Sequence, residues 1–497
     1  MVQKRKIWLP LWLILGLGLA FLLRLPSLFE PYSYGDECIY LTLGQAARQG
    51  LTLYGQIHDN KPPLLYLLAA LSGNLFWFRT ILLFWGLATI FLFYKLAQIF
   101  FPKKEKLIKI STLSFAFFSS IPLFEGGVAN AEVFLILFTI AGILRIFCGK
   151  KQSKWVFFSA GIFFSLAMLF KVPAVFDFVA ALVFITILFW DTKKKNYKLP
   201  RPPCFATRSG QVITNYFFLA LGFILPILAS LAYFWSQGAL NQYLTAAFFQ
   251  NLPYLSSWGG SPRLRFGFLV LFVGLALWKR KEIGNSLLFI LIWFAFSLFG
   301  ATLSGRPYPH YLVQSLPSLC FLLAFFFSKL KPKEHLFLSV SLAIFLLTLF
   351  YFRFWVYSPF SPYKNFLLFA TKRYSQEKYF ASFGQKVERD YQLAQFLTLH
   401  TQKNEKVFIW GDSPCIYALS RRLPVGRYTV AYHIADFDGF EETASALEKE
   451  KPGFIIDLQD ETKPFPELRE ILAKNYSLFK TIDGAKILVL YYIYGGR

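Results

Sequence analysis

Apolar stretches of nearly membrane-spanning length, parted by short polar breaks, recur through residues 7–356. No other feature limits the fold of this chain so strongly. A helix needs about 20 apolar residues to cross the hydrocarbon core of a bilayer, and by that measure the sequence predicts about eleven spans. They lie near 7–25, 76–98, 107–123, 132–148, 155–171, 173–190, 212–235, 264–278, 283–303, 312–328 and 336–356. The first follows Lys4-Arg5-Lys6 like a signal peptide, but it lacks a small-x-small cleavage site and further spans follow. It therefore reads as an uncleaved first helix. A hydrophobic share of 56%, with 60 Phe, 26 Tyr and 12 Trp among 497 residues, suits a lipid-facing chain and not a soluble one. The mean hydropathy of +0.45 agrees.

The formal net charge is +24. Its placement argues for a membrane and against a nucleic-acid partner. Basic clusters stand at Lys4-Arg5-Lys6, Lys103-Lys104-Lys106, Lys150-Lys151-Lys154, Lys193-Lys194-Lys195, Lys279-Arg280-Lys281 and Lys329-Lys331-Lys333. Each adjoins an apolar run, and together they occupy every second loop, which is the positive-inside pattern. With the N-terminus in the cytoplasm, an odd number of spans places all the clusters inside and the C-terminus outside. The expected location is a bacterial-type inner (plasma) membrane. Of the five cysteines, Cys38 and Cys415 fall on the outer side and could form a disulfide, with the unbridged state as the expectation. No cysteine spacing suggests a metal site.

The outer side then holds most of the unusual polar residues. Its first loop, about 26–75, contains YGDECIYLTLGQAARQG and HDNKPPLLYLLAA. Asp36 can cap a helix from Glu37 to about Gln49 that Gly50 stops. Ile39, Leu43, Ala46 and Ala47 share one face, and the segment is too short to span, so it is expected to rest in the interface. Pro62 and Pro63 open a second short helix running through Leu71. After residue 357 the chain shows soluble α/β patterning: helices at 388–399, 441–451 and 465–474, a helix start at Ser413-Pro414, and strands at 406–410, 453–457 and in the closing ILVLYYIY run. No GxGxxG or P-loop is present.

Within this frame several residues suggest chemistry, each beside a plainer role. Asp36 suits a general base for an attacking hydroxyl, and the Asp36-Glu37 pair could equally be a helix cap. Lys61 could hold a lipid-borne phosphate or merely snorkel. Lys171, in MLFKVPAVF between two apolar segments, stands against the positive-inside trend, as an anion-binding lysine would. Glu132, in GGVANAEVF, could be a second acidic residue of the site or a first-turn carboxylate. In SGRPYPHYL, Arg306 could bind phosphate, and Tyr308, His310 and Tyr311 could hold sugar hydroxyls or anchor the interface. His58, Asp59 and Asp177 are weaker candidates. Cations on an outer face suggest a sugar donor linked to polyprenyl phosphate, with Asp36 activating the acceptor hydroxyl in one inverting displacement.

The chain also resembles a family. A first span, a DE pair, a helix ending in Gly, then KPP with Leu/Tyr-rich sequence, followed in order by ANAE, LFK and GRPYPHYLVQSLP, looks like the GT-C membrane glycosyltransferases. The nearest group is the protein O-mannosyltransferase and aminoarabinose-transferase superfamily, glycosyltransferase family 39 and its bacterial relatives. The likeness covers roughly residues 1–330. It implies that Asp36 is the catalytic carboxylate with Glu37 beside it, and that Lys61 and Lys171 contact the lipid phosphate. It extends to Glu132 and the Arg306–Tyr311 cluster. Nothing here corresponds to the inserted luminal domain of the eukaryotic protein mannosyltransferases.

The expectation is a polytopic α-helical membrane protein of GT-C fold over residues 1–357, with a small extracytoplasmic α/β domain over 358–497. Its partners would be membrane lipids, a polyprenyl-phosphate sugar donor and a lipid, glycan or protein acceptor. No cofactor is assigned; a divalent cation (Mg or Mn) is the candidate, since metal dependence varies within the fold class that the chain resembles, although no strong metal-ligand spacing is present. The rival is a transporter or flippase of lipid-linked sugars, which would carry broken helices and repeats that this sequence does not show.

Overall fold

Helices occupy every stretch expected to span: Leu11–Arg24, Leu75–Phe100, Glu105–Phe118, Ala131–Cys148, Lys154–Phe170, Val175–Lys193, Ser209–Ser236, Pro262–Trp278, Asn285–Thr302, Leu316–Phe326 and Pro332–Tyr351. The structure is a computed structural model that describes residues 9–148, 153–193, 209–254, 261–353 and 358–491. The basic residues Lys4-Arg5-Lys6, Lys150-Lys151 and Lys194-Lys195, and the end of the last expected span, lie outside them. Among the described residues, seven helical stretches are long and apolar enough to cross a membrane, and Lys154–Phe170 and Val172–Leu188 are shorter apolar helices. The expected span at 107–123 is cut short: its helix ends at Phe118, and a 3-10 turn, Pro122–Phe124, follows. Proline fixes φ and lacks an N–H, so it suits such a turn and not a helix interior.

The chain divides into two compact units: residues 1–27, 80–231 and 252–360, and residues 28–79, 232–251 and 361–497. The first unit is a bundle of apolar helices. Phe93 stacks on Phe115 and on Phe321, each with centroids 4.4 Å apart, and Phe100 and Phe147 pack around Phe289. Helices Lys154–Phe170 and Ser209–Ser236 touch backbone to backbone. A Cβ on Gly161 would stand 2.2 Å from the Leu219 carbonyl oxygen, and one on Gly222 2.0 Å from that of Phe158. Small residues at such crossings let apolar helices gain contact where lipid offers no hydrophobic drive. Arg24, 2% exposed, is satisfied internally by donating to Ser120 Oγ and to the carbonyls of Gly126 and Ser119.

The second unit joins the first polar loop to the C-terminal residues. Helix Gly35–Arg48 matches the expected 37–49 closely, and Gly50 behind it has φ +84°. Two expectations about it change. Tyr34, not Asp36, stands at the N-cap, and Asp36 lies within the first turn. Nor does the helix rest on one apolar face, because every residue from Glu37 to Ala46 is buried by protein. A Cβ on Gly44 would stand 2.5 Å from the Ala70 nitrogen, so helix Leu64–Ser72 is packed tightly against it. Periodicity marked the apolar face, but protein also covers the others.

The C-terminal residues form a sheet of four strands, β1 (Phe408–Trp410), β2 (Phe454–Leu458), β3 (Tyr476–Ile482) and β4 (Ala485–Leu490), in the order β1-β2-β4-β3. β1 and β2 are parallel, and the other pairs are antiparallel. Alternation puts Ile409, Ile456 and Ile487 on one face, with Leu393 and Leu397 of helix Gln385–His400. It puts Phe408, Trp410 and Ile455 on the other, with Leu447 of Phe440–Glu450 and Leu468 of Pro466–Asn475. Helix Ala431–Asp436, absent from the sequence reading, also packs on that second face.

Cys38 and Cys415 form a disulfide with their Cα atoms 4.8 Å apart. This overturns the unbridged expectation. The two residues are 377 positions apart, and only the packing of helix Gly35–Arg48 against Cys415–Ser420 within this unit brings them together.

Candidate functional site

The second unit gathers polar residues around Lys61. Its Nζ lies 3.6 Å from Asp36 Oδ2 and 3.8 Å from Asp59 Oδ2, and 5.0 Å above the Tyr40 ring. The phenol of Tyr40, one helical turn beyond Asp36, donates to Asp36 Oδ2 at 2.9 Å. Tyr66, from helix Leu64–Ser72, donates to Asp59 Oδ2 at 2.8 Å and accepts the Lys61 N–H at 2.9 Å. Tyr54 donates to the Lys61 carbonyl at 2.8 Å. Burial, and after it the neighbouring carboxylates, push the phenols of Tyr40 and Tyr66 well above their ordinary range. They stay neutral and act as donors.

Asp36 and Asp59 differ in surroundings. The Asp36 side chain is 33% exposed and that of Asp59 only 1%. Burial would raise the Asp59 carboxyl, but Lys61, His433 and the Asn60 N–H outweigh it and hold it below the usual carboxylate range. Asp59 is therefore a fixed anion in the core, and Asp36 is the carboxylate that solvent and solutes reach. Glu37 points elsewhere: Arg79 donates to its two oxygens at 2.9 and 2.5 Å and to Glu30 at 2.7 Å.

His58 is 2% exposed, with its ring against Tyr428 and Phe437. Burial, with the His433 and Arg427 charges, lowers its pKa to about 3, so the imidazole is neutral. His433, 3% exposed, approaches Asp59 Oδ1 with Nε2 at 3.6 Å.

The first unit builds a separate cluster. Glu132 opens helix Ala131–Cys148 and is paired with Lys171, which ends helix Lys154–Phe170 in extended conformation. The Lys171 ammonium sits 3.8 Å over the Tyr311 ring, and the His310 ring lies 4.6 Å from that of Tyr311 and 5.6 Å from that of Tyr308. His310 Nδ1 is 2.8 Å from Glu125 Oε2, which also accepts from Asn130 at 2.9 Å. Arg306 is half-buried, with its N–H on Ser304 Oγ. Asp177 accepts from Trp293 and Gln314 at 2.6 and 2.7 Å.

Each unit thus brings together much of what the sequence singled out: Asp36, Lys61, Asp59 and His58 in one, Glu132, Lys171, Tyr308, His310 and Tyr311 in the other. The sequence reading passed over Tyr40, Tyr66, His433, Glu30, Arg79 and Glu125. Only Tyr40 carried a readable signal, four residues after Asp36 on the same helical face. Among the described residues, no group of three or more His, Cys, Asp or Glu side chains is arranged to hold a metal ion.

No protein-family model matches the sequence, and no curated protein matches it. In structure the chain is similar to ArnT from Cupriavidus metallidurans bound to undecaprenyl phosphate, with a TM-score of 0.56 at 12% identity over 96% of this chain and 97% of that one. ArnT from the same organism in the apo state gives 0.56 at 13% identity, over 96% and 97% of the two chains. A weaker likeness, 0.46 at 12% identity over 90% of this chain and 69% of that one, is to the oligosaccharyltransferase AglB from Archaeoglobus fulgidus in complex with an inhibitory peptide and a dolichol-phosphate. The fold is the polytopic GT-C membrane fold, as the resemblance implied, with the small C-terminal sheet domain that the α/β patterning after residue 357 predicted.

Proposed function

We propose that this chain, with the fold of those ArnT structures, is a membrane glycosyltransferase. It would move a sugar from a polyprenyl-phosphate donor to a lipid, glycan or protein acceptor, with Asp36 as general base. The observation that carries the reading is the Asp36–Lys61 pair. A part-exposed carboxylate, held by Tyr40, stands 3.6 Å from the ammonium of a lysine whose side chain is only 19% exposed. One group suits proton removal, and the other suits a phosphate.

In the proposed reaction the acceptor oxygen attacks the anomeric carbon as the bond from that carbon to the phosphate oxygen breaks. Its proton passes to Asp36, and the electron pair leaves with the polyprenyl phosphate. Lys61 offsets the charge gathering on that phosphate, which therefore needs little protonation to leave. Attack opposite the leaving group inverts the carbon. Glu37 acts through structure, holding its helix to Arg79. Within the first unit, Lys171 and Arg306 are assigned to a lipid phosphate, and Glu132, Tyr308, His310 and Tyr311 to sugar or acceptor hydroxyls. No step is routed through a metal. The Cys38–Cys415 disulfide supports an oxidising, extracytoplasmic setting for the Asp36 helix and the sheet domain.

The test is transfer of radiolabel from a panel of polyprenyl-phosphate sugars into membrane acceptors by reconstituted protein, wild type beside Asp36→Asn. Transfer by the wild type that falls at least about a hundredfold in the variant, with folding intact, is expected. Equal transfer by both removes Asp36 as the base. Movement of the lipid across the bilayer without transfer favours a transporter.

A further inference from the structure

Asp59 is nearly sealed from solvent, yet it touches two groups of opposite behaviour. On one side Oδ2 takes the Tyr66 phenol at 2.8 Å and faces Lys61 Nζ at 3.8 Å. On the other side Oδ1 takes the Asn60 N–H at 2.8 Å and faces His433 Nε2 at 3.6 Å. His433 comes from the short helix Ala431–Asp436, more than 370 residues downstream of Asp59. Its Nδ1 is buried without a hydrogen-bond partner. In the neutral ring the proton therefore belongs on Nε2, directed at Asp59.

The order His433, Asp59, Lys61, Asp36 is a chain of alternating charge character. Lys61 is shared between two carboxylates, and its position depends on how firmly Asp59 is held. Tyr66 and Asn60 fix two lone pairs of Asp59, and His433 faces a third. With His433 neutral, its Nε2–H dipole engages Asp59 only weakly, and most of the charge left by Tyr66 and Asn60 remains for Lys61. With His433 protonated, the imidazolium competes for Asp59 and frees Lys61 toward another anion.

We infer that His433 is a positioning residue for the proposed donor-phosphate site: acting through Asp59, it sets where Lys61 stands and how much of its charge a polyprenyl phosphate meets. The inference rests on the reading of Lys61 given above. It gives the sheet domain a part in donor binding through one imidazole. The groups around that imidazole are Asp59, Lys61 and Asp36 on the first loop and its helix, His58 at 6.1 Å between ring centroids, and Asp436 and Tyr432 on its own helix. Burial keeps the ring below its ordinary pKa although Asp59 pulls the other way.

The experiment measures binding of undecaprenyl phosphate to the purified full chain alongside donor KM and kcat, for wild type, His433→Phe, His433→Gln and Asp36→Asn. Phe keeps a ring without a donor; Gln restores an N–H. The expected result is donor affinity weakened about tenfold in His433→Phe, kcat within about twofold, and partial recovery in His433→Gln. Unchanged affinity in His433→Phe, with wild-type transfer intact, overturns this inference alone. Equal loss in both His433 variants, with a lowered unfolding temperature, marks His433 as merely structural and also overturns it. Absence of transfer by the wild type fails the enzyme reading, yet the lipid-binding arm still decides the role of His433.

Discussion

Both oxygens of the Glu37 carboxylate lie on the guanidinium of Arg79, at 2.9 Å from Nε and 2.5 Å from Nη2, and Glu30 takes Nη1. Arg79 and Glu37 are each 1% exposed. Removing one member of such a group leaves an uncompensated buried charge, at a cost of about 3–5 kcal/mol. Arg79→Leu is expected to unfold the second unit or lower its unfolding temperature sharply. Glu37→Gln, which keeps the shape and one acceptor, should cost less. Intrinsic fluorescence during heating in detergent reads both.

Tyr40→Phe removes one donor from Asp36 and leaves the ring beneath Lys61. Since Asp36 is part-exposed, the lost bond is worth about 1 kcal/mol, not the fuller value of a buried charged bond. Transfer should fall by about fivefold to tenfold through kcat, with undecaprenyl-phosphate binding unchanged. A loss confined to donor binding would mean that Tyr40 serves Lys61 instead.

The disulfide predicts a thiol count. After denaturation, two more cysteines should react with a maleimide reagent when reductant is present than when it is not, and Cys415→Ser should abolish that difference. The same substitution should destabilise the second unit by about 2–4 kcal/mol.

Burial lowers the His58 pKa to about 3, against an ordinary 6.5. Between those values the unfolded chain takes up a proton that the folded chain refuses. Stability is therefore fully present above 6.5 and falls as pH drops through the window, at roughly 1.4 kcal/mol per pH unit. The difference in unfolding free energy between pH 7.5 and pH 5 should shrink by roughly 2 kcal/mol in His58→Phe. Burial also lowers His433, so part of the pH dependence should survive in that variant.

In the first unit, Gly161→Ala would place a methyl group 2.2 Å from the Leu219 carbonyl oxygen. The two helices must separate, at a cost of about 1–3 kcal/mol. Gly274→Ala, where a Cβ meets nothing within 4 Å, is the matched control. Comparing their unfolding temperatures tests whether the close crossing stabilises the bundle.

What was readable in the sequence was what depends on neighbours along the chain. Apolar length foretold the helices, and the break at Gly50 and the prolines at 62–63 set the limits of the two first-loop helices. The Asp36–Lys61 pairing was foreshadowed only as two polar residues in one loop. Arg79, within FWFRTILLF, looks like a lysine or arginine snorkelling from a span, and nothing nearby shows that Glu37 and Glu30 await it. Glu125 holds His310 from a left-handed turn at φ +54°, which no pattern announces. His433 and Cys415 lie hundreds of residues from their partners. Their meeting depends on tertiary packing that no local periodicity records.

That last distance bears on how the chain is made. Helix Gly35–Arg48 leaves the ribosome well before the residue that clamps it, which arrives 377 positions later. Until Cys415 is made, Cys38 cannot form this bond. Only a chain translated to at least Cys415 can lock the helix bearing Asp36. A polypeptide interrupted before that point carries the proposed base without its clamp, so the bond serves as a chemical mark that translation has passed Cys415.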